Sequence, residues 1–446
     1  MISRRRFLHA GTATAAVLLL AACSSPSRPA TPAGGQATPS GGTAASSQNA
    51  TPAQAAAGAK APVTITYSEW EITEAQLNFH KAVVKRFNDE HPDIKVDMQQ
   101  SQLDKVETQI VAGTATDVVH QYKSYIFGPK GKLIDLNPYI QSDKEVMDHH
   151  LAPTVLDLYR VKGKTYAFAR AISTGPLNFF NKNLFDEAKV AYPTNDWTWE
   201  QYEEAALKLT KKEGDRITQF GTDDLVGMIQ NLAAANGVKN GFWDLDGQKL
   251  LMGDPGCREA ANWAWKFTTQ YKITPDQTTY KELGGFWQMF QTGKLAQSMS
   301  AIWVLTPYQT IKSFQWDGVM NMKRKERAGW LIMYPLSITP TCKNPDAAYQ
   351  FLRFYATKEG SELVVQYNYG LPVWKELVSD LKGPLATAAE LIQEGGRIIN
   401  KPYEHTDEFT NKEINPRWDK VRNGQMTVDK AIDELVAAWP KYVPAS

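Results

Sequence analysis

Three cysteines in 446 residues are too few for a disulfide scaffold, and none stands in the CxxC spacing that holds zinc. Only Cys257 and Cys342 lie in the body of the chain. Both read as small buried residues, with a bridge between them as the alternative. Neither sign of charge is in surplus, since 49 Lys and Arg face 48 Asp and Glu, a formal +1. That balance argues against nucleic acid or anionic lipid as a partner. The apolar run from Gly11 to Ala22 is about a dozen residues, short of the roughly 20 that crossing about 30 Å of hydrocarbon requires. Catalytic signatures are missing too: there is no G-x-S-x-G, no H-E-x-x-H, no P-loop and no G-x-G-x-x-G after a strand. Asp244-Leu245-Asp246-Gly247 hints at a calcium loop, but Phe242 and Gly253 stand at its first and last ligand positions, and the reading fails. His149 and His150 are adjacent and read as surface or packing residues. No cofactor and no metal is expected.

What the N-terminus does contain is an export pattern. Arginines, a short apolar core and small residues at its exit are the parts of a signal peptide over residues 1–22. Ser3-Arg4-Arg5-Arg6-Phe7-Leu8 resembles the twin-arginine pattern, read by a receptor that exports folded proteins. Leu20-Ala21-Ala22-Cys23 resembles the bacterial lipobox, in which the Cys23 thiol receives a diacylglyceryl group and becomes the first mature residue. Each buried methylene adds about 0.8 kcal/mol, so two chains hold the protein at the membrane where one only dwells. An unprocessed signal with an incidental cysteine is the alternative. Removing residues 1–22 takes away three arginines and no acid, leaving a formal charge of −2. Residues 24–61 are almost wholly Ala, Pro, Gly, Ser and Thr, without periodicity, and predict a disordered tether. As a flexible coil it reaches about 35 Å.

The body, residues 62–446, exceeds what one hydrophobic core usually organises, which predicts two domains. Val63, Ile65 and Tyr67 alternate with polar residues as in a strand. Thr73-Glu74-Ala75-Gln76 then forms a capping box, and Phe79, Ala82, Val83 and Phe87 share a helical face. After Pro92, Ile94, Val96 and Met98 alternate again. A strand, helix, strand crossover builds an open α/β sheet whose binding crevice lies off the strands' carboxyl ends. Thr198-Trp199-Glu200-Gln201 opens a further helix with Tyr202, Ala205, Ala206 and Leu209 as its buried stripe. The class is α/β.

The order of "RFNDEHPDIKV", "TDVVHQY" with "GKLIDLNPYI", "VKGKTYAFA", "LNFFNKNLFDEA", "PTNDWTWEQYEEAALKLT", "FQTGKLAQSMSAIWV" and "KNPDAAYQFLRFYATKEGSELV" resembles the extracellular solute-binding proteins of ABC importers, in the group that binds sugars and oligosaccharides. The likeness covers nearly the whole body. It implies a two-lobed periplasmic-binding-protein fold of type II kind, the lobes joined by hinge strands with the ligand cleft between them. By segment, lobe 1 takes residues 62–172 and 334–375, and lobe 2 takes 173–333 and 376–446. A monomer that delivers its ligand to ABC permease subunits is implied.

A sugar offers apolar C–H faces that stack on rings and a rim of hydroxyls that need donors and acceptors, so its cleft needs aromatics beside polar side chains. The resemblance points first to Trp303, at the close of "FQTGKLAQSMSAIWV". Glu69, Trp70 and Glu71 stand at the end of the first strand, and Gln121, Tyr122, Ser124 and Tyr125 follow "DVV". Ser173 and Thr174 lie at the first hinge crossing. Asn236, Trp330, Met333 and Tyr334 complete the candidates, with Trp418 read as core. The bulk in "AGWLIMYPLSI" either narrows the cleft for a small ligand or simply packs. The rival class is a secreted carbohydrate-active enzyme using a carboxylate pair such as Glu69 and Glu71. A sensor subunit presenting ligand to a receptor fits the same cleft.

Overall fold

The computed structural model describes residues 61–70, 73–244, 247–394, 396–397 and 403–443; the signal and lipobox with Cys23, the tether to residue 60, and Glu71 lie outside them. The chain begins with the expected crossover. β1 (Val63–Glu69) buries Ile65 and Tyr67 in alternation and then sinks completely, so that Ser68 and Glu69 are also buried. α1 (Glu74–Glu90) starts at Thr73, whose hydroxyl accepts from the Gln76 N–H while the Gln76 carbonyl oxygen caps the Thr73 N–H. Its buried face is Gln76, Phe79, His80, Val83 and Phe87. β2 (Ile94–Gln100) returns parallel to β1, with Val63 opposite Ile94. α2 (Leu103–Ala112) leads to β3 (Val118–His120), parallel to β1 on its other side. The carboxyl ends of β1 and β3 therefore open on one edge, where Trp70 and Gln121-Tyr122 leave the sheet.

Two long strands tie this sheet to a second one. β4 (Phe168–Gly175) is buried at every residue and runs through Pro176 into β5 (Leu177–Asn181). β5 is the middle strand of a small antiparallel sheet, between β6 (Gln297–Ser300) and β7 (Trp316–Met320). The chain comes back by β8 (Gly329–Ile338), which pairs antiparallel with both β4 and β3. Residues 172–173 and 333–334, where the sequence divides its lobes, fall inside β4 and β8. Gly175 is needed for a close approach: a Cβ there would lie 2.6 Å from the Cα of Ala301.

The two main apolar cores do not divide at those lobe boundaries, since the first also holds Leu177, Phe179, Phe290 and Tyr308. One core gathers Ile65, Tyr67, Phe79, Val83 and Phe87 with Phe351 and Leu352 of a helix at Pro345–Phe354. The other gathers Trp199, Tyr202, Ala205 and Leu209, the predicted stripe of the helix Trp199–Leu209, with Trp265, Phe267 and Ile432. Trp418 belongs to it, its ring 5.7 Å from that of Trp265. Cys257 is buried and free, as expected; Cys342 is also free, which sets aside the alternative bridge, but it is only partly buried, which corrects the buried reading for that residue. Replacing Thr73 by Ala removes one helix cap and lowers stability by about 1 kcal/mol, read as a shift of the urea midpoint at unchanged m-value.

Candidate functional site

At the shared edge of β1 and β3, against the crossing strands, lies a cavity of about 290 Å³ lined by Trp70, Gln76, Tyr122, Ser173, Trp303, Ile332, Met333 and Tyr334. Its lining comes from four places. Trp70 and Tyr122 follow β1 and β3, Gln76 sits in the first turn of α1, and Ser173 and Ile332 face each other across the β4–β8 pairing. Trp303 projects from a single 3₁₀ turn, Ile302–Val304, with the rings of Phe286 and Trp287 edge-on to it at 6.0 and 6.4 Å. The volume falls at the small end of the range of about 300 to 1,000 Å³ usual for ligand pockets. A larger groove, about 740 Å³, lies elsewhere among Asp215, Arg216, Lys272 and Asp276. Charges of both signs dominate its rim, beside Ile217, Phe220 and Leu283, but no Trp or Tyr lines it, so it is the weaker candidate for a sugar.

Behind the cleft floor stands a wholly buried polar cluster. Glu69 and Arg170 are each 0 % exposed and paired, and one Glu69 oxygen also accepts from the Tyr67 hydroxyl. Arg170 further donates to Tyr67 at 2.7 Å and to Tyr369. The other Glu69 oxygen lies 2.7 Å from His120 Nδ1 and accepts the Trp70 backbone N–H at 2.9 Å. His80 Nε2 approaches Glu69 at 3.5 Å from α1. Burial alone would raise the Glu69 carboxyl, but the Arg170 guanidinium and both histidines hold it well below the usual carboxylate range. Burial pushes His120 down to about 4 and, with neighbouring Arg170, keeps its ring neutral at pH 7.

Six of the residues singled out in the sequence thus surround one cavity: Trp70, Tyr122, Ser173, Trp303, Met333 and Tyr334. Seven others point elsewhere. Glu69 belongs to the buried cluster, Gln121 donates to Ser337 at 2.9 Å, and Ser124 is buried and does not line the cavity. Tyr125 is hydrogen-bonded with Asp407, beside an ion pair of Lys130 with Glu404. The Thr174 hydroxyl donates to the Trp330 carbonyl, Trp330 packs on Ala234, Ala235 and Ala328, and Asn236 donates to Gly256 and Glu259. Gln76 and Ile332 line the cavity without having been singled out. For Gln76 the signal was present, since a capping-box glutamine follows the same strand end as Trp70.

Among the described residues no acid lines the cavity. A glycosidase acid needs a raised pKa, and Glu69 is held low in an ion pair, which removes it from that role. Buried neutral histidines also make stability depend on pH. His120 has a folded pKa below its ordinary value, so the unfolded chain binds the proton first, and its contribution is lost as pH falls from about 6.5 towards 4. The stability difference between wild type and His120→Asn therefore narrows over that interval, by on the order of 3 kcal/mol, measured by urea unfolding at matched pH values.

Residues 69–362 match the family model for bacterial extracellular solute-binding proteins. An uncharacterized ABC transporter extracellular-binding protein of Pyrococcus horikoshii is 24% identical over 337 residues, 71% of this chain and 75% of its own. An ABC substrate-binding protein from Listeria monocytogenes, solved with cycloalternan, has 26% identity and a TM-score of 0.74 over 85% of this chain and 98% of that one. A solute-binding protein from Thermotoga lettingae, solved with alpha-D-tagatose, reaches the same TM-score of 0.74 at 17% identity, over 86% and 100% of the two chains. The shared architecture is two α/β lobes joined by crossing strands, as in those binding proteins. On this match the chain belongs to the bacterial extracellular solute-binding proteins.

Proposed function

We propose that this protein captures a small neutral carbohydrate between its lobes and hands it to the permease of an ABC importer. The observation that carries the reading is the convergence of Trp70, Tyr122, Trp303 and Tyr334 on one cavity with Gln76 and Ser173 between them. Rings of this kind cover the apolar faces of a sugar, and the amide and hydroxyl answer its rim. Ser173 Oγ is buried and has no hydrogen-bond partner among the described residues, so a ligand hydroxyl has a place to bind. The cavity, about 290 Å³, suits one or two sugar rings better than a long oligosaccharide. The related proteins solved with cycloalternan and tagatose support the ligand class.

With lobes of residues 62–172 plus 334–375 and 173–333 plus 376–446, Trp70 and Trp303 belong to opposite lobes and clamp the ligand. Contacts formed only in the closed state shift the population towards it. The Lys130–Glu404 and Tyr125–Asp407 contacts also join the two lobes on this division. Both side chains of the ion pair are more than half exposed, so it guides closure rather than holding it. The mature protein is a lipoprotein monomer anchored through Cys23 on the extracytoplasmic face, with residues 24–61 as its tether. No helix among the described residues is long and apolar enough to cross a membrane.

Calorimetric titration with neutral mono- and disaccharides tests the site: Trp303→Ala lowers affinity for whichever sugar binds by tenfold or more, about 1.4 kcal/mol, while an undiminished affinity places the site elsewhere. Sustained release of reducing ends from a bound sugar would instead make the protein a hydrolase. The anchor has its own test. Cys23→Ser releases the protein from membranes into the medium or periplasm, and Lys at both Arg4 and Arg5 blocks export; normal export of that double variant means the general secretory route.

A further inference from the structure

Trp70 is fixed at three points by residues that never reach the cleft. Its backbone N–H donates to Glu69 at 2.9 Å, its indole Nε1 donates to the His120 carbonyl at 3.0 Å, and its ring stacks on the His120 imidazole with centroids 4.6 Å apart and planes at 20°. His120 Nδ1 is in turn held between Glu69 at 2.7 Å and an Arg170 nitrogen at 2.9 Å. The same guanidinium lies 5.7 Å from the centre of the Tyr334 ring, which lines the cavity with Trp70. Tyr122 stands edge-on to both Trp70 and His120, at 5.8 and 5.3 Å.

We propose that Glu69, Arg170 and His120 are positioning residues of the binding cleft, setting the plane of the Trp70 ring and, through the charge on His120, the affinity of the site. The affinity consequence rests on the reading of the cleft as a carbohydrate site; the control of Trp70 rests on the contacts alone. Around His120 the ionisable neighbours are Glu69 and Tyr67 from β1, Arg170 from β4, His80 from α1, Tyr369 from the segment after the helix Lys358–Gln366, and Tyr122 from its own strand end. Arg170 is the permanent cation and Glu69 the carboxylate that balances it.

A second proton on His120 removes its last acceptor, because an imidazolium only donates. The Glu69 carboxylate 2.7 Å from Nδ1 only accepts, so Nδ1 carries the first hydrogen and the second enters at Nε2, which then turns a hydrogen instead of a lone pair to the Arg170 nitrogen 3.5 Å away, and one carboxylate must balance two cations. The ring can relieve this only by turning, and Trp70 lies flat against it. The cluster thus passes a protonation event to an aromatic side chain in the ligand site without His120 itself lining the cavity.

The test follows the indole Nε1–H resonances of Trp70 and Trp303 in the ¹⁵N-labelled whole protein from pH 7 to 4, assigned with Trp70→Phe and Trp303→Phe. The Trp70 signal moves with a midpoint near 4, where burial places His120, while that of Trp303 stays fixed. In His120→Asn, which keeps an amide facing Glu69 but has no ring to stack, the Trp70 signal is displaced at every pH, no longer titrates, and exchanges with solvent at least about tenfold faster. An unmoved Trp70 signal in folded His120→Asn, or Trp70 and Trp303 shifting together in wild type, overturns the proposal. If wild type unfolds before pH 4 the variant decides, and if the variant does not fold the wild-type titration decides. D-tagatose and maltose serve as binding probes, with a loss of about tenfold expected in His120→Asn. Failure of both sugars to bind wild type counts against the proposed ligand class and leaves the resonance test standing.

Discussion

Glu69 and Arg170 meet where β1, β3 and β4 come together, with neither side chain exposed to solvent. Taking both charges out of water costs several kcal/mol for each ion, and their attraction offsets that only because the remaining oxygens and hydrogens are also satisfied. Tyr67, His120 and Tyr369 do this, and each comes from a different part of the chain. A buried pair of this kind adds little net stability over apolar residues of the same volume. Losing one partner, however, strands the other charge at a cost of about 3 to 5 kcal/mol. The pair therefore fixes a single arrangement of three strand ends, and those strands carry Trp70, Tyr122 and Ser173 to the cavity.

The remaining wall is set by packing and backbone geometry. β4 and β8 run together between the two sheets, so Ser173, Ile332 and Met333 lie at the crossing itself. Gly175 lets the end of β4 come against Ala301, and the 3₁₀ turn that follows Ala301 presents Trp303. A methyl group at Gly175 would push on the segment that carries the opposing aromatic ring. One side of the cleft is thus held by charge and the other by close approach.

Much of this could be read from the sequence because its signals are local. Capping boxes at Thr73 and Thr198 and the stripes Phe79-Val83-Phe87 and Tyr202-Ala205-Ala206-Leu209 depend on residues within a few turns. The α/β crossover rule places Trp70 and Tyr122 at the carboxyl edge of the sheet, where they stand. What stayed hidden is non-local. Nothing near Arg170 in "YAFARAIS" announces a partner about a hundred residues earlier, so Glu69, at a strand end beside Trp70, looked like a ligand contact. Gln121, Ser124 and Thr174 have the right chemistry in the right neighbourhood, but strand pleat and a short helix turn them to Ser337, to the interior and to the Trp330 carbonyl. Gln76 reads in sequence as a helix cap, and its second place at the cavity wall follows only from the seating of α1 against β1.

The central claim is that the aromatic cavity holds a small neutral carbohydrate, and native mass spectrometry of the protein purified from its own host, without added sugar, tests it most directly. The account predicts a dissociable mass increment of one or two neutral sugar rings that is lost in Trp303→Ala. An increment belonging to a peptide, a charged metabolite or a long oligosaccharide, or one that Trp303→Ala retains in full, would contradict it.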